Sequence, residues 1–100
     1  MEYTVKITDY ASVQLRVIFQ YIKYSLQAPE TALQLLDLLE KQINSLSQFP
    51  NRIPLTHEEP WRSCGIHKMP VKNYLIYFWI DETVKEVHVT AVIYAKRDLK

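Results

Sequence analysis

Residues 66–97 read IHKMPVKNYLIYFWIDETVKEVHVTAVIYAKR, and the fold follows from how this stretch divides. It holds three short segments rich in β-branched and aromatic residues. Two turns separate them: Lys72-Asn73, which has no glycine, and the polar Asp81-Glu82-Thr83. Strand-forming runs broken by polar turns predict an antiparallel meander. The middle segment, residues 74–80, is apolar on both alternating faces. Tyr74, Ile76, Phe78 and Ile80 share one face; Leu75, Tyr77 and Trp79 share the other. A strand apolar on both sides belongs inside its sheet with both faces covered. Upstream helices supply one cover. The other face is left for something outside the chain.

The flanking strands are less uniform. In the first, Ile66, Lys68, Pro70 and Lys72 alternate with His67, Met69 and Val71. Proline has no N–H for a ladder, so Pro70 marks an edge strand or a bulge. In the last, Val87, Val89, Ala91 and Ile93 alternate with His88, Thr90, Val92 and Tyr94.

Upstream, residues 3–8 alternate as a strand with Tyr3, Val5 and Ile7 toward the core. Thr8 or Asp9 can cap the helix that follows, whose stripe is Ala11, Leu15, Ile18, Ile22 and Leu26. Pro29 suits the first position of a second helix, and Glu30 suits its positive end. That helix buries Ala32, Leu35, Leu36, Leu39, Ile43 and Leu46 and stops before Pro50. The expected hairpin covers residues 9–28 and 30–48. Residues 51–63 read as an ordered loop, with Trp61 packed and Arg62 solvated. The whole is α+β, ordered β-α-α-β-β-β, a helical hairpin on one face of a mainly antiparallel sheet. The place of the first strand in the sheet stays open.

At 100 residues, 48% apolar and 23% charged, the chain has the composition of one globular domain, taken as residues 1–100. A net charge of +1 argues against nucleic-acid binding by bulk electrostatics alone. Charge is uneven, however: residues 1–61 hold five Lys/Arg against seven Asp/Glu, and residues 62–100 hold seven against four. That permits a basic patch near the meander. One cysteine, Cys64, rules out an internal disulfide; His57, His67 and His88 are scattered, and nothing marks the thiol as activated. With no secretion signal or membrane-length apolar run, the expectation is a cytoplasmic protein with no membrane role. The histidines and acids show no metal-ligand spacing, and Gly65 is the only glycine, so no phosphate-cradling loop can form. Neither metal nor cofactor is expected.

The order of these pieces resembles the RelE/ParE superfamily of bacterial type II toxin–antitoxin toxins, in its plasmid-stabilisation branch. The resemblance rests on Ala11 and Leu15 after the first strand, Tyr21-Ile22, and Leu46-x-x-Phe-Pro50. It rests most on Gly65-Ile-His-Lys-Met-Pro-Val-Lys-Asn-Tyr74, then on Tyr77-Phe-Trp-Ile-Asp81, Val87-x-Val89 and Ile93-Tyr-Ala-Lys-Arg-Asp98. What it implies is a toxin neutralised by a cognate antitoxin. Relatives either cleave mRNA on the ribosome, as metal-independent endoribonucleases, or poison DNA gyrase without cutting RNA. The first is the leading expectation here, and the second its alternative, along with a decayed toxin that keeps only its antitoxin surface.

By position, Lys68 and Arg97 match basic residues of the nuclease branch. Leu75 and His67 depart from it, each standing where arginine is common. Cleavage through the 2′-hydroxyl needs a base, cations for the phosphorane charge, and an acid. Lys68 and Arg97 are the catalytic candidates; Lys72 adds charge, and Tyr77 and Trp79 can stack a base as substrate-binding residues. His67 faces away from Lys68 by alternation and reads as a satisfied rim residue, while His88 and Tyr94 stay open as proton carriers. Phe19, Leu33 and Leu38 are apolar residues left over by the hairpin stripes and are the candidate antitoxin surface.

Overall fold

The computed structural model describes residues 2–95. Strand β1 (Thr4–Ile7) leads into helix α1 (Asp9–Gln20), and α2 (Pro29–Asn44) runs back; strands β2 (His67–Val71), β3 (Tyr74–Asp81) and β4 (Glu86–Tyr94) follow. The sheet order is β1-β4-β3-β2. The β2–β3 and β3–β4 pairs are antiparallel, and β1 lies parallel to β4. The doubly apolar strand is therefore interior, and Pro70 sits on an edge strand, as the residue patterns predict.

Local chemistry explains the helix ends. Thr8 Oγ1 accepts the Ala11 amide at 3.2 Å, which caps α1. Pro29 opens α2 after Ala28. Between the helices, residues Tyr21–Ser25 form a π turn. Its wider pitch, with the Leu26 amide bonded back to the Tyr21 carbonyl, shifts the register. Leu26 thereby leaves the α1 stripe and is exposed, contrary to expectation. Past α2, 3-10 turns at Ser45–Ser47 and Pro50–Arg52 carry the chain to the loop.

The core lies between hairpin and sheet: Ala11, Leu15, Leu39 and Ile43 meet Met69, Val71, Ile76, Phe78, Val87, Val89 and Val92. Tyr3 and Val5 pack at its margin. Ile7, at the end of an edge strand, is exposed where the alternation put it inside.

The alternation of β4 also breaks. Tyr77 pairs with Ala91 but Phe78 with Val89, so Thr90 is an extra residue, a β-bulge. Its hydroxyl donates to the Tyr77 carbonyl at 3.3 Å. Beyond the bulge the faces exchange: Val92 enters the core, and Ala91 and Ile93 turn to the open face. Past Ile7, β1 no longer covers β4, and Gln14 of α1 takes over by accepting the Val92 amide at 2.7 Å. Replacing Gln14 with Leu leaves that amide beside an apolar group and is expected to cost about 1–3 kcal/mol. A lowered urea midpoint with an unchanged slope is the reading to expect.

Candidate functional site

The open face of the sheet forms a concavity of about 1060 Å³. Its floor is apolar and comes from three strands: Leu75, Tyr77 and Trp79 on β3, Ala91 and Ile93 on β4, Pro70 on β2. Tyr10 of α1 and Trp61 of the loop help line it. Trp61 is 55% exposed rather than packed, so the expectation for it fails. Its neighbour Arg62 is exposed as expected, with Nη1 donating to the Thr56 carbonyl.

Among the described residues, Lys68 and Glu58 are the charged ones lining this concavity. They face each other, with Nζ 3.3 Å from Oε2 and 3.4 Å from Oε1. The lysine side chain is 23% exposed and the glutamate 57%. Glu58 also accepts from the hydroxyl of Thr56, which is fully buried. That hydroxyl, then the loop backbone and Lys68, hold the Glu58 carboxyl below the usual carboxylate range. A depressed folded value stabilises the loop above the unfolded value and is lost as pH falls through the folded one. The part of the loop's hold on β2 that comes from the Glu58 carboxylate is thus present at neutral pH and fades in acid. Carboxyl NMR should show Glu58 titrating below a peptide glutamate, and Thr56→Val should raise its midpoint more than Lys68→Ala does.

The other end of the open face is polar. Glu86 accepts from Lys6 and from His88, each at 3.1 Å. Trp79 stacks on His88 with centroids 4.5 Å apart and planes 13° from parallel. His67 lies on the opposite side, flat against Phe78 at 4.9 Å, with Nδ1 2.6 Å from the Ile53 carbonyl. A carbonyl only accepts, so Nδ1 carries the proton. His67 is a satisfied rim residue.

The structure therefore brings Lys68, Tyr77 and Trp79 to one face. Lys72 is not among the residues lining the concavity. It has a left-handed backbone (φ 56°) in the β2–β3 turn, which interrupts the alternation expected to place it beside Lys68. Arg97 lies outside the described residues. Glu58 and Trp61 were missed because their loop has no periodicity to show which way they face, and Tyr10 because it reaches the site from a helix distant in sequence.

Of the three leftover apolar residues, Leu33 is exposed, Leu38 packs against the core, and Phe19 lines the closed seam between the helices. The exposed apolar residues of the first helical segment lie elsewhere, at Tyr10, Val13, Val17, Tyr21 and Tyr24. Their three- and four-residue spacing makes a second stripe beside the buried one.

The family model described as ParE toxin of type II toxin-antitoxin system, parDE, matches residues 5–99. The chain belongs to this family. It is thus a type II toxin of the RelE/ParE superfamily. No curated protein matches. Among solved structures, a chain of the chromosomal ParDE system of P. aeruginosa superposes with a TM-score of 0.76 at 21% identity, covering 93% of this chain and 96% of that one. The RelBE2 toxin–antitoxin complex of Mycobacterium tuberculosis gives 0.65 at 20% identity, covering 94% and 99%. At these identities the likeness is one of fold, and this ParE-family chain shares their hairpin-on-sheet architecture. Among the described residues, no helix is long and apolar enough to cross a membrane, and no group of three or more His, Cys, Asp or Glu could hold a metal ion.

Proposed function

We propose that this toxin works in the cytoplasm by seating a segment of a target protein in its concave face, as a gyrase poison rather than an mRNA nuclease. The observation that carries this reading is the Lys68–Glu58 pair in a concavity whose described lining is mainly apolar. A nuclease needs net positive charge where the phosphorane forms, and here the lining lysine already has a carboxylate beside it. An apolar floor with aromatic walls favours a protein partner, since aromatic anchors at a desolvated centre carry most binding energy in protein interfaces. The matched structures come from toxin–antitoxin systems, which supports a cognate antitoxin as the neutralising partner. The exposed stripe from Tyr10 to Tyr24 offers an amphipathic helix of that antitoxin a second apolar contact.

The gathering of Lys68, Tyr77 and Trp79 on one face is the feature that favours the nuclease reading, and one experiment separates the two. Wild type and Lys68→Ala are induced in cells, and growth, plasmid supercoiling and ribosome-bound mRNA ends are followed. The expected result is growth arrest with lost supercoiling and no new mRNA ends. Lys68→Ala should stay within about fivefold of wild-type potency, since an ion pair whose carboxylate is 57% exposed to water contributes little. New mRNA ends that vanish in Lys68→Ala would overturn the reading.

A further inference from the structure

We infer that Glu58 is a specificity-determining residue, whose carboxylate cancels the Lys68 charge and so keeps phosphate backbones off the aromatic floor of the concavity. The inference rests on the protein-target reading and adds a role for one residue in it. Without Glu58 the concave face has the residue types that single-stranded RNA binds: the aromatic side chains of Tyr77 and Trp79 in its lining, and a cation on the neighbouring strand for a phosphate. Lys68 pairs with Tyr77 across β2 and β3, so charge and ring lie side by side. Most of the lysine side chain is covered, which limits its freedom to swing out to another partner. Glu58 is placed to neutralise it there. Its loop is fastened to β2 by the Thr56 amide on the Ile66 carbonyl at 2.8 Å and the Lys68 amide on the Pro54 carbonyl at 3.3 Å. The Thr56 hydroxyl fixes the carboxylate from the buried side. An approaching phosphate then meets a Lys68 that is already paired and a carboxylate that repels it.

Glu58→Gln tests this with little change of shape, because the amide oxygen still accepts from Thr56. The probe is a short fluorescent oligouridylate, titrated with purified full-length toxin over a range of salt. Glu58→Gln should bind it about fivefold more tightly at low salt, the effect of one unit charge at contact distance in water. Its log–log salt slope should steepen by about 0.7, one added phosphate contact on a single strand. Glu58→Gln combined with Lys68→Met should return to wild-type affinity. Glu59→Gln makes the same change of net charge on the same loop outside the concavity and should have no effect. An equal gain from Glu59→Gln, a gain that survives Lys68→Met, or no gain from Glu58→Gln would each overturn the inference. None of these outcomes involves gyrase or the ribosome, so a failure here is distinct from a failure of the supercoiling experiment.

Discussion

Phe78→Ala is expected to destabilise the toxin by about 3–5 kcal/mol, the usual cost of emptying a buried phenyl site. Phe78 is fully buried at the middle of the interior strand. Its ring is also the platform on which His67 lies at 4.9 Å. Truncation therefore removes the apolar contacts and strands an imidazole beside a cavity. A small domain has roughly 5–15 kcal/mol in all, so the variant should unfold at a much lower denaturant concentration and yield little folded protein. Ile76→Ala and Leu39→Ala, each at 1% exposure or less, should cost about 2–5 kcal/mol by the same route. A midpoint for Phe78→Ala within error of wild type would mean that the hairpin does not pack where the structure places it.

Leu75→Glu should have the largest effect on function with the smallest effect on folding. Leu75 is half-buried on the open face, one residue from the core-facing Ile76. A carboxylate there can reach water in the free toxin, so the helix–sheet core is untouched. Once a protein segment fills the concavity, the same charge is desolvated without a partner. Central interface positions commonly carry 2 kcal/mol or more, so target affinity should fall about 30-fold or further. The measurements are growth arrest on induction and supercoiling by gyrase in extract, with circular dichroism as the check on folding. Full toxicity in a folded Leu75→Glu protein would remove the concave face from the mechanism.

The interior strand was legible because its apolar residues ignore the period-two rule, and only a position covered on both sides tolerates that. Pro70 was legible because a missing N–H excludes an interior strand. The helix caps were legible for similar reasons of local chemistry. What escaped depends on pairings far along the chain. No glycine or proline marks the bulge at Thr90; it is visible only once Tyr77 is seen opposite Ala91 and Phe78 opposite Val89. Half of β4 was consequently assigned to the wrong faces, and Ile93 was not recognised as part of the floor. Lys72 escaped because a two-residue turn without glycine does not announce a left-handed residue. The π turn, likewise unmarked, removed Leu26 from its stripe. Trp61 and Glu58 belong to a loop with no periodicity, and only its fastening to Ile66 and Lys68 brings them to the concavity.

The strand order β1-β4-β3-β2 also bears on when the toxin becomes dangerous to the cell that makes it. Strand β4 is the last made of the four, yet it lies between the first and the third. Thr4 pairs with Glu86 and Ile7 with Val89, contacts that join opposite ends of the chain and belong to a slow-folding, high-contact-order topology. A nascent chain still lacking β4 has no partner for β1 and no second neighbour for β3, and the floor residues Ala91 and Ile93 do not yet exist. The concave face is thus assembled only after β4 has left the ribosome, which gives a cognate antitoxin time to be present first.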